Sequence, residues 1–174
     1  MTGVQTCALP ISLPIYREGI EHASNYIDII NFRHQDKIKL TIDTKVDIDH
    51  TYLPQFILQP ILENAIIHAF DNASKGYHMK IEAYSRGNCL YLTVKDNGKG
   101  MAPEELSTLE NLLIKGDTTE SIGLVNVHQR IQLFYGEQYC VNIISTIGQG
   151  TQIQVTLPLR SYSENMEDCM EEWR

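Results

Sequence analysis

The sequence lacks any run of about 18 apolar residues, which is the length that a transmembrane helix requires. We therefore expect no membrane contact by this chain itself, although a longer parent protein could be anchored in a membrane. A basic block is also absent, because 14 lysine and arginine residues stand against 22 acidic residues and the formal net charge is −8. This charge argues against nonspecific binding to nucleic acid or to an anionic membrane surface.

Closely spaced cysteine pairs are missing too, since the cysteines are scattered along the chain at Cys7, Cys89, Cys140 and Cys169. No CxxC zinc or redox motif is present, and the spacing does not indicate a disulfide framework. These cysteines fit a reducing compartment. We therefore expect a cytoplasmic location.

The length of 174 residues and the hydrophobic content of 43% favour one main domain with a sizeable core. Residues 1–15 repeat Leu-Pro-Ile without a helical or strand period. They resemble the translation of a sequencing adapter, or form a short irregular leader, so we expect no function there and a natural start further upstream. Residues 161–174 are acidic and mostly polar, which predicts a disordered tail or a weak helix.

The periodicity of the remaining residues predicts helices and strands of an α+β protein. An amphipathic helix is expected to end near Phe32, followed by a strand, a hairpin, two helices and a second hairpin. Pro103 suits the start of the first of these two helices, and Gly136 suits the end of the second. The expected result is a two-layer α/β sandwich with helices on one face of a mixed, largely antiparallel sheet. The residues that set these periods are Ile20, Ala23, Ile27 and Ile30; Ile38, Leu40 and Ile42; Met79, Ile81 and Ala83; Leu90, Leu92 and Val94; Leu124, Val127, Ile131 and Phe134; and Ile153, Val155 and Leu157.

The stretch LPQFILQPILENAIIHAF is apolar yet carries Glu63, Asn64 and His68. On a helix, Asn64 and His68 lie four residues apart and share a face. Pro54 suits a first-turn position, and Pro60 either kinks the helix or restarts it. An amide oxygen can bind Mg²⁺, which keeps waters and phosphate oxygens as its other ligands. A lone Asn-His pair is nevertheless more often structural.

Three further motifs are ambiguous when each is taken alone. In KDNGKGM, Asp96 at a strand end can accept a hydrogen bond from an exocyclic amine, and Gly98 and Gly100 let the backbone approach a flat ligand. An ordinary Asp-Asn-Gly turn explains the same letters. In TTESIGLVNVHQR, Gly123 opens a helix whose free N–H groups could hold phosphates. GQGT, residues 148–151, reads as a hairpin turn.

The order LQPILENAIIHAF, DNGKGM, SIGLVNVHQRIQLFYG and GQGT resembles the N, G1 and G2 boxes and final hairpin of the GHKL ATP-binding superfamily. The residues of these motifs are most similar to those of YesM/LytS-type sensor histidine kinases of bacteria. The resemblance covers roughly residues 17–159 and implies the Bergerat fold, with ATP between the helices and the sheet under a lid at residues 113–121, including Gly116. It implies a linker helix over 16–36 and a catalytic domain over 37–160.

The resemblance also implies roles for individual residues. Asn64 would bind Mg²⁺, with Glu63 as a polar or acid/base partner and His68 and Arg130 on the phosphate side. Asp96 would accept from the adenine amino group. The remaining expected ATP contacts are Gly98, Gly100, Met101, Gly123, Leu124 and Thr151.

Two departures from the superfamily bear on activity. The G2 region keeps one glycine, Gly123, where many histidine kinases have a GxGxG run. Pro60 stands where superfamily ATPases carry a water-activating glutamate, and a proline cannot act as a general base. The sequence therefore favours a kinase over an ATPase.

The acceptor motif NPHFLxN of such kinases is absent, and His22 lies in the expected linker. We expect the acceptor histidine in a missing upstream dimerisation domain of a homodimeric kinase, with a response regulator as the next partner. The alternatives are a nucleotide-binding scaffold and a standalone serine kinase or ATPase.

Overall fold

The computed structural model describes residues 16–34, 38–47, 50–54, 57–69, 76–115 and 122–159. None of the helices in these ranges combines the length and the hydropathy needed to cross a membrane. The predicted leader and tail lie outside the described residues. The elements are α1 (Tyr16–His34), β1 (Ile38–Thr44), α2 (Leu58–Ala69), β2 (Tyr77–Arg86), β3 (Cys89–Asp96), α3 (Pro103–Lys115), α4 (Ile122–Tyr135), β4 (Val141–Thr146) and β5 (Gly150–Pro158).

The strands form one mixed sheet in the order β1-β2-β3-β5-β4. Only the β1–β2 pair is parallel; the β2–β3, β3–β5 and β4–β5 pairs are antiparallel. The strands β2 and β3 form the predicted first hairpin, and β4 and β5 form the second. Because β3 and β5 are neighbours, the end of β3 at Asp96 lies beside the start of β5 at Gly150.

One face of the sheet is buried under the helices. Its side chains alternate with exposed ones along β2, β3 and β5, as the period-two pattern predicts. The helices α2 and α4 pack on β3, β5 and β4, and α3 packs on α4 and β4. This arrangement confirms the α+β sandwich with helices on one face. The buried sheet residues include Met79, Ile81, Ala83, Leu90, Leu92, Val94, Ile153, Val155 and Leu157.

The helix α1 is packed into the same hydrophobic core through Ala23 and Ile27. Its Asn31 side chain clamps the start of β1, since Nδ2 donates to the Ile38 carbonyl at 2.8 Å and Oδ1 accepts from the Ile38 N–H at 2.9 Å. The helix continues to His34, two residues beyond the predicted end.

Three details differ from the sequence prediction. The helix α2 begins at Leu58, so Pro54 precedes it and Pro60 occupies its first turn, where the missing N–H has no helical partner in any case. Phe134 is 72% exposed, although Leu124 and Ile131 are buried. At 3.6 residues per turn, Phe134 is rotated about 80° from Leu124. Ile42 is 38% exposed because it lies on the edge strand β1.

Candidate functional site

The carboxylate of Asp96 is held by two backbone N–H groups at the end of β3. Its Oδ1 accepts from Gly98 N at 2.8 Å and from Thr151 N at 3.2 Å. Oδ2 has no hydrogen-bond partner among the residues that the structure describes. Burial raises the pKa of the Asp96 carboxyl above its usual value, and the two N–H donors partly oppose that rise. The side chain therefore presents one fixed and one available acceptor oxygen.

The loop after β3 is pressed against the β4–β5 turn. Lys99 O accepts from Gly148 N at 2.6 Å. Gly100 has a φ of 67°, and an added Cβ there would overlap the carbonyl oxygen of Thr146. The close approach that requires a glycine at position 100 is therefore to the backbone of the protein itself, whereas the sequence prediction assigned it to a ligand. The loop after β3 and the β4–β5 turn consequently form one continuous wall of backbone beside Asp96.

Ser145, which the sequence reading missed, joins this wall to the strands. Its Oγ accepts from Met101 N at 2.9 Å and lies 2.8 Å from Thr151 Oγ1 and 3.2 Å from the carbonyl oxygen of Gly150. The signal available in the sequence is a serine at the third inward position of β4, after the buried Val141 and Ile143.

Asn97, the residue after Asp96, has a structural role. Its Oδ1 accepts from His78 N at 2.7 Å, and its Nδ2 donates to the Gly76 carbonyl at 3.2 Å. These bonds fix the chain that enters β2 against the end of β3. The Asp-Asn-Gly sequence thus forms a turn and also holds the start of β2 against the end of β3, where Asp96 lies.

The polar edge of α2 carries the other predicted group. Glu63 Oε1 accepts from Gln59 Nε2 at 2.8 Å. The half-buried Asn64 makes no hydrogen bond to the described residues through its side chain. His68 belongs to the helix, but its side chain lies outside the described part. Asn64 is therefore available to a ligand, and Glu63 is engaged with its own helix.

The start of α4 abuts the first turn of α2. A Cβ built on Gly123 would lie 3.7 Å from Pro60 Cβ, and Asn64 follows Pro60 by one helical turn. Leu124 is buried, so only its backbone N–H can serve a ligand. Arg130 is exposed about 10 Å further along α4 and has no ion pair within the described ranges.

The structure thus assembles two groups of predicted residues. One group lies where β3 ends and β5 begins, and consists of Asp96, Gly98, Gly100, Met101 and Thr151. The other group lies on the paired helices α2 and α4, and consists of Asn64 and Gly123. The predicted lid needs a correction, because α3 continues through Lys115 and Leu113 is buried in the core. Residues 113–115 are therefore helix, and the remaining part, with Gly116, lies outside the described residues.

A groove of about 350 Å³ lies on the opposite, open face of the sheet and contains none of these residues. Its charges are largely paired: Lys95 Nζ lies 3.6 Å from Glu82 Oε2, and Lys80 Nζ, nearby, lies 2.7 Å from Glu82 Oε1 and 3.2 Å from Asp43 Oδ2. Exposed pairs of this kind indicate a solvated surface.

The model of the family described as histidine kinase-, DNA gyrase B- and HSP90-like ATPase matches residues 48–161. The sensor histidine kinase YesM of Bacillus subtilis is 32% identical over 145 residues, which are 83% of this chain and 24% of YesM. The sensor protein LytS of Bacillus anthracis is 24% identical over 151 residues, 87% of this chain and 26% of LytS. The chain thus spans about a quarter of the length of these relatives.

Solved structures share the fold. The catalytic domain of histidine kinase ThkA superposes with a TM-score of 0.62 at 14% identity, covering 84% of this chain and 94% of that domain. The histidine kinase AdeS of Acinetobacter baumannii gives 0.60 at 17% identity, over 83% of this chain and 65% of that one. The chain belongs to the family of histidine kinase-, DNA gyrase B- and HSP90-like ATPases.

Proposed function

We propose that this chain binds ATP with Mg²⁺ and positions its γ-phosphoryl group for transfer to a histidine outside the chain. The observation that carries the proposal is the Asp96 carboxylate, fixed through Oδ1 by two backbone N–H groups and available at Oδ2. A fixed acceptor beside an inward-facing hydroxyl, Thr151, suits a base with a donor and an acceptor side by side.

The adenine end selects by hydrogen-bond direction. Asp96 accepts from the exocyclic amine of adenine, whereas guanine would place a carbonyl oxygen against the same carboxylate. Two acceptors facing each other in a half-buried site leave both without a partner, which is costly. The backbone at Gly98, Gly100 and Met101 forms the adjoining wall.

The phosphate end lies at the start of α4. The N–H groups of Gly123 and Leu124 belong to the first turn of a helix of 14 residues and have no partner within it, so they can bind phosphate oxygens. Arg130 and His68 are proposed to assist on the same side. The helix end would thus take the place of the basic block that the chain lacks.

The residues present fit Mg²⁺ bound mainly through phosphate. No cluster of three His, Cys, Asp or Glu side chains able to hold a metal occurs among the described residues. Asn64, with its free amide oxygen, would supply one protein ligand, and waters and phosphate oxygens the others. When bound, the ion would neutralise phosphate charge. Glu63 is proposed as a polar partner beside it.

Transfer to an imidazole is favoured over hydrolysis. Pro60 lies in the first turn of α2, at the place where the resemblance to superfamily ATPases would put a water-activating glutamate, and its ring offers no proton acceptor. Phosphoryl transfer depends mainly on positioning and charge neutralisation, which the site residues provide.

The rest of the kinase is proposed by analogy with the relatives. We propose that α1, within residues 16–36, leads from a dimerisation and phosphoacceptor domain into the catalytic domain at 37–160, with a tail at 161–174. The parent would be a membrane-anchored homodimer whose catalytic domain works in the cytoplasm. ThkA has been solved in complex with the response regulator TrrA, which supports a receiver domain as the next partner.

Labelling with γ-labelled ATP tests the transfer. The chain alone should remain unlabelled, whereas a parent protein with the upstream helices should gain acid-labile phosphate on a histidine. The Asp96→Asn variant of that parent should lose the label. Phosphohistidine on His22 of the chain alone would contradict the proposal.

A further inference from the structure

The outer edge of β1 is available for pairing. β1 stands at the end of the sheet order, beside β2. In a strand, the N–H and C=O groups of one residue point to one side and those of the next residue to the other. The N–H of Lys45, which follows β1, donates to the Ala83 carbonyl of β2 at 2.8 Å. Odd-numbered residues of β1 therefore face β2, and even-numbered residues face outward.

Asn31 of α1 holds the first outward position, because its side chain bonds both backbone groups of Ile38. The backbone groups of Leu40 and Ile42 have no hydrogen-bond partner among the residues that the structure describes. Leu40 is half-buried, and Ile42 is 38% exposed. The strand thus offers a free edge with apolar side chains on its helix side, a feature that favours pairing with another strand.

The open side of β1 carries charges of opposite sign around Thr41. Lys39 and Asp43 are exposed and lie two positions before and two positions after it. Within the described ranges Lys39 has no ion pair, and Asp43 has one at 3.2 Å, to Lys80, while 46% of its side chain remains exposed. In an antiparallel pair centred on Thr41, Lys39 of each copy opposes Asp43 of the other. Charges on an edge strand commonly prevent pairing, but these are complementary to those of a second copy.

We propose that two copies of this chain pair through β1, antiparallel about a twofold axis at Thr41. Leu40 of each copy then exchanges both backbone hydrogen bonds with Ile42 of the other, and the side chains of these residues meet on the helix face. The axis is perpendicular to the sheet, so the helices of both copies lie on the same side and the two five-stranded sheets become continuous. The inference goes beyond the proposed function and needs no nucleotide.

The residues around the proposed axis select this register over its symmetric neighbours. An axis one residue earlier needs the backbone groups of Ile38, which Asn31 already holds. An axis one residue later opposes Lys39 of each copy to Lys45 of the other. An axis at Asp43 brings two carboxylates together. Like charges directly opposite each other are destabilising, so the proposed register alone of these four avoids both faults.

A weak dimer is expected, because an interface of one short strand is small and exposed charge pairs contribute little. The net charge of −8 on each copy also opposes association. A homodimeric parent of the kind proposed above would hold two catalytic domains at an effective concentration of about 1 mM. The pairing would therefore act mainly within such a parent.

Sedimentation of the full chain at about 10 μM to 1 mM, the range of weak complexes, measures the association. The unaltered chain should dimerise. Lys39→Asp and Asp43→Lys should each weaken the dimer by about tenfold or more, because each opposes like charges in two places. An equimolar mixture of the two variants should associate again, since one variant then presents two acidic groups to two lysines of the other.

Thr41→Cys tests the register. Opposed residues of a non-hydrogen-bonded pair have Cα atoms about 4.5 Å apart, which is within reach of a disulfide. Mild oxidation should therefore link two Thr41→Cys chains much faster than two Ser85→Cys chains, in which the added thiol lies at an exposed position of β2. The unaltered chain gives the background from the native cysteines.

Two controls separate pairing from other effects of the substitutions. Lys115→Asp makes the same charge change on α3 as Lys39→Asp makes on β1, and should leave the association unchanged. Lys39→Asp should bind an ATP analogue as the unaltered chain does, because β2 separates β1 from β3 and β5.

An unaltered chain that stays monomeric at 1 mM, a mixture that associates no better than either variant alone, or equal rates of cross-linking would overturn the pairing. A folded chain that dimerises but binds no ATP would overturn the proposed function and leave the pairing intact.

Discussion

Thr151 and Asp96 are joined by a hydrogen bond from Thr151 N to Asp96 Oδ1 at 3.2 Å, although 55 positions separate them in the sequence. The bond exists because β3 and β5 are antiparallel neighbours, so that the end of one strand meets the start of the other. It fixes one carboxylate oxygen and leaves the other for a ligand.

Asp96→Asn should weaken binding of an ATP analogue by about 10- to 100-fold, the usual value of a hydrogen bond to a charged group. The asparagine oxygen can still accept from Gly98 and Thr151, so the fold should persist. Because burial raises the pKa of Asp96, ionisation is costly there, and the variant should melt at a higher temperature at neutral pH. Titration and thermal unfolding check both parts, and a variant with unchanged affinity would refute the role of Asp96.

Asn64→Ala should reduce the Mg²⁺-dependent part of ATP binding by about three- to tenfold and leave the metal-free part nearly unchanged, because one amide ligand is lost. Titrations with Mg²⁺ and with a chelator measure the two parts. Gln59→Ala is the control on the same helix, since it removes only the bond to Glu63. Equal metal dependence in the Asn64→Ala chain would sink the assignment.

Gly100→Ala should destabilise the fold more than Gly87→Ala. Both glycines have positive φ, 67° and 58°, which costs alanine about 1–2 kcal/mol. Only Gly100 also meets backbone, and overpacking against Thr146 adds about 1–3 kcal/mol, whereas a Cβ at Gly87 meets nothing within 4 Å. Urea unfolding gives the difference. Equal losses would show that the two loops are not in firm contact.

His128 should make stability sensitive to mild acid. The ring is buried, and its Nδ1 accepts from Val141 N at 3.2 Å, so the neutral form is required. Burial lowers the pKa of His128 from 6.5, and the unfolded chain therefore binds more protons between the two values. The contribution is complete above about pH 6.5 and is lost as the pH falls through the folded-state pKa.

His128→Asn tests this assignment, because an amide oxygen can accept from Val141 without titrating. Urea unfolding of this variant should show a flatter pH dependence below neutrality than the unaltered chain. Identical slopes would mean that His128 is not the titrating group.

The sequence predicted the parts of the site that are local. Asp96, Gly98 and Gly123 lie in turn and helix-start motifs that are ambiguous one by one and gain meaning from their order along the chain, and the sheet follows from its period of two. Ser145 was missed because its partners Met101 and Thr151 lie on other elements, and its inward position in β4 does not by itself distinguish a site residue from a packing residue. The reason for Gly100 is likewise a contact with Thr146, which only the folded chain brings near. The lid was predicted to begin too early, at residue 113. The helical period of α3 continues through Leu113, which is buried in the core.

Calorimetric titration of this chain, without residues 1–15, with a non-hydrolysable ATP analogue and Mg²⁺ tests the central claim most directly, with the matching GTP analogue beside it. Saturable binding of the adenine nucleotide, with much weaker binding of the guanine nucleotide, is the predicted result. Absence of binding by a folded chain, or equal affinity for the two bases, would contradict the account.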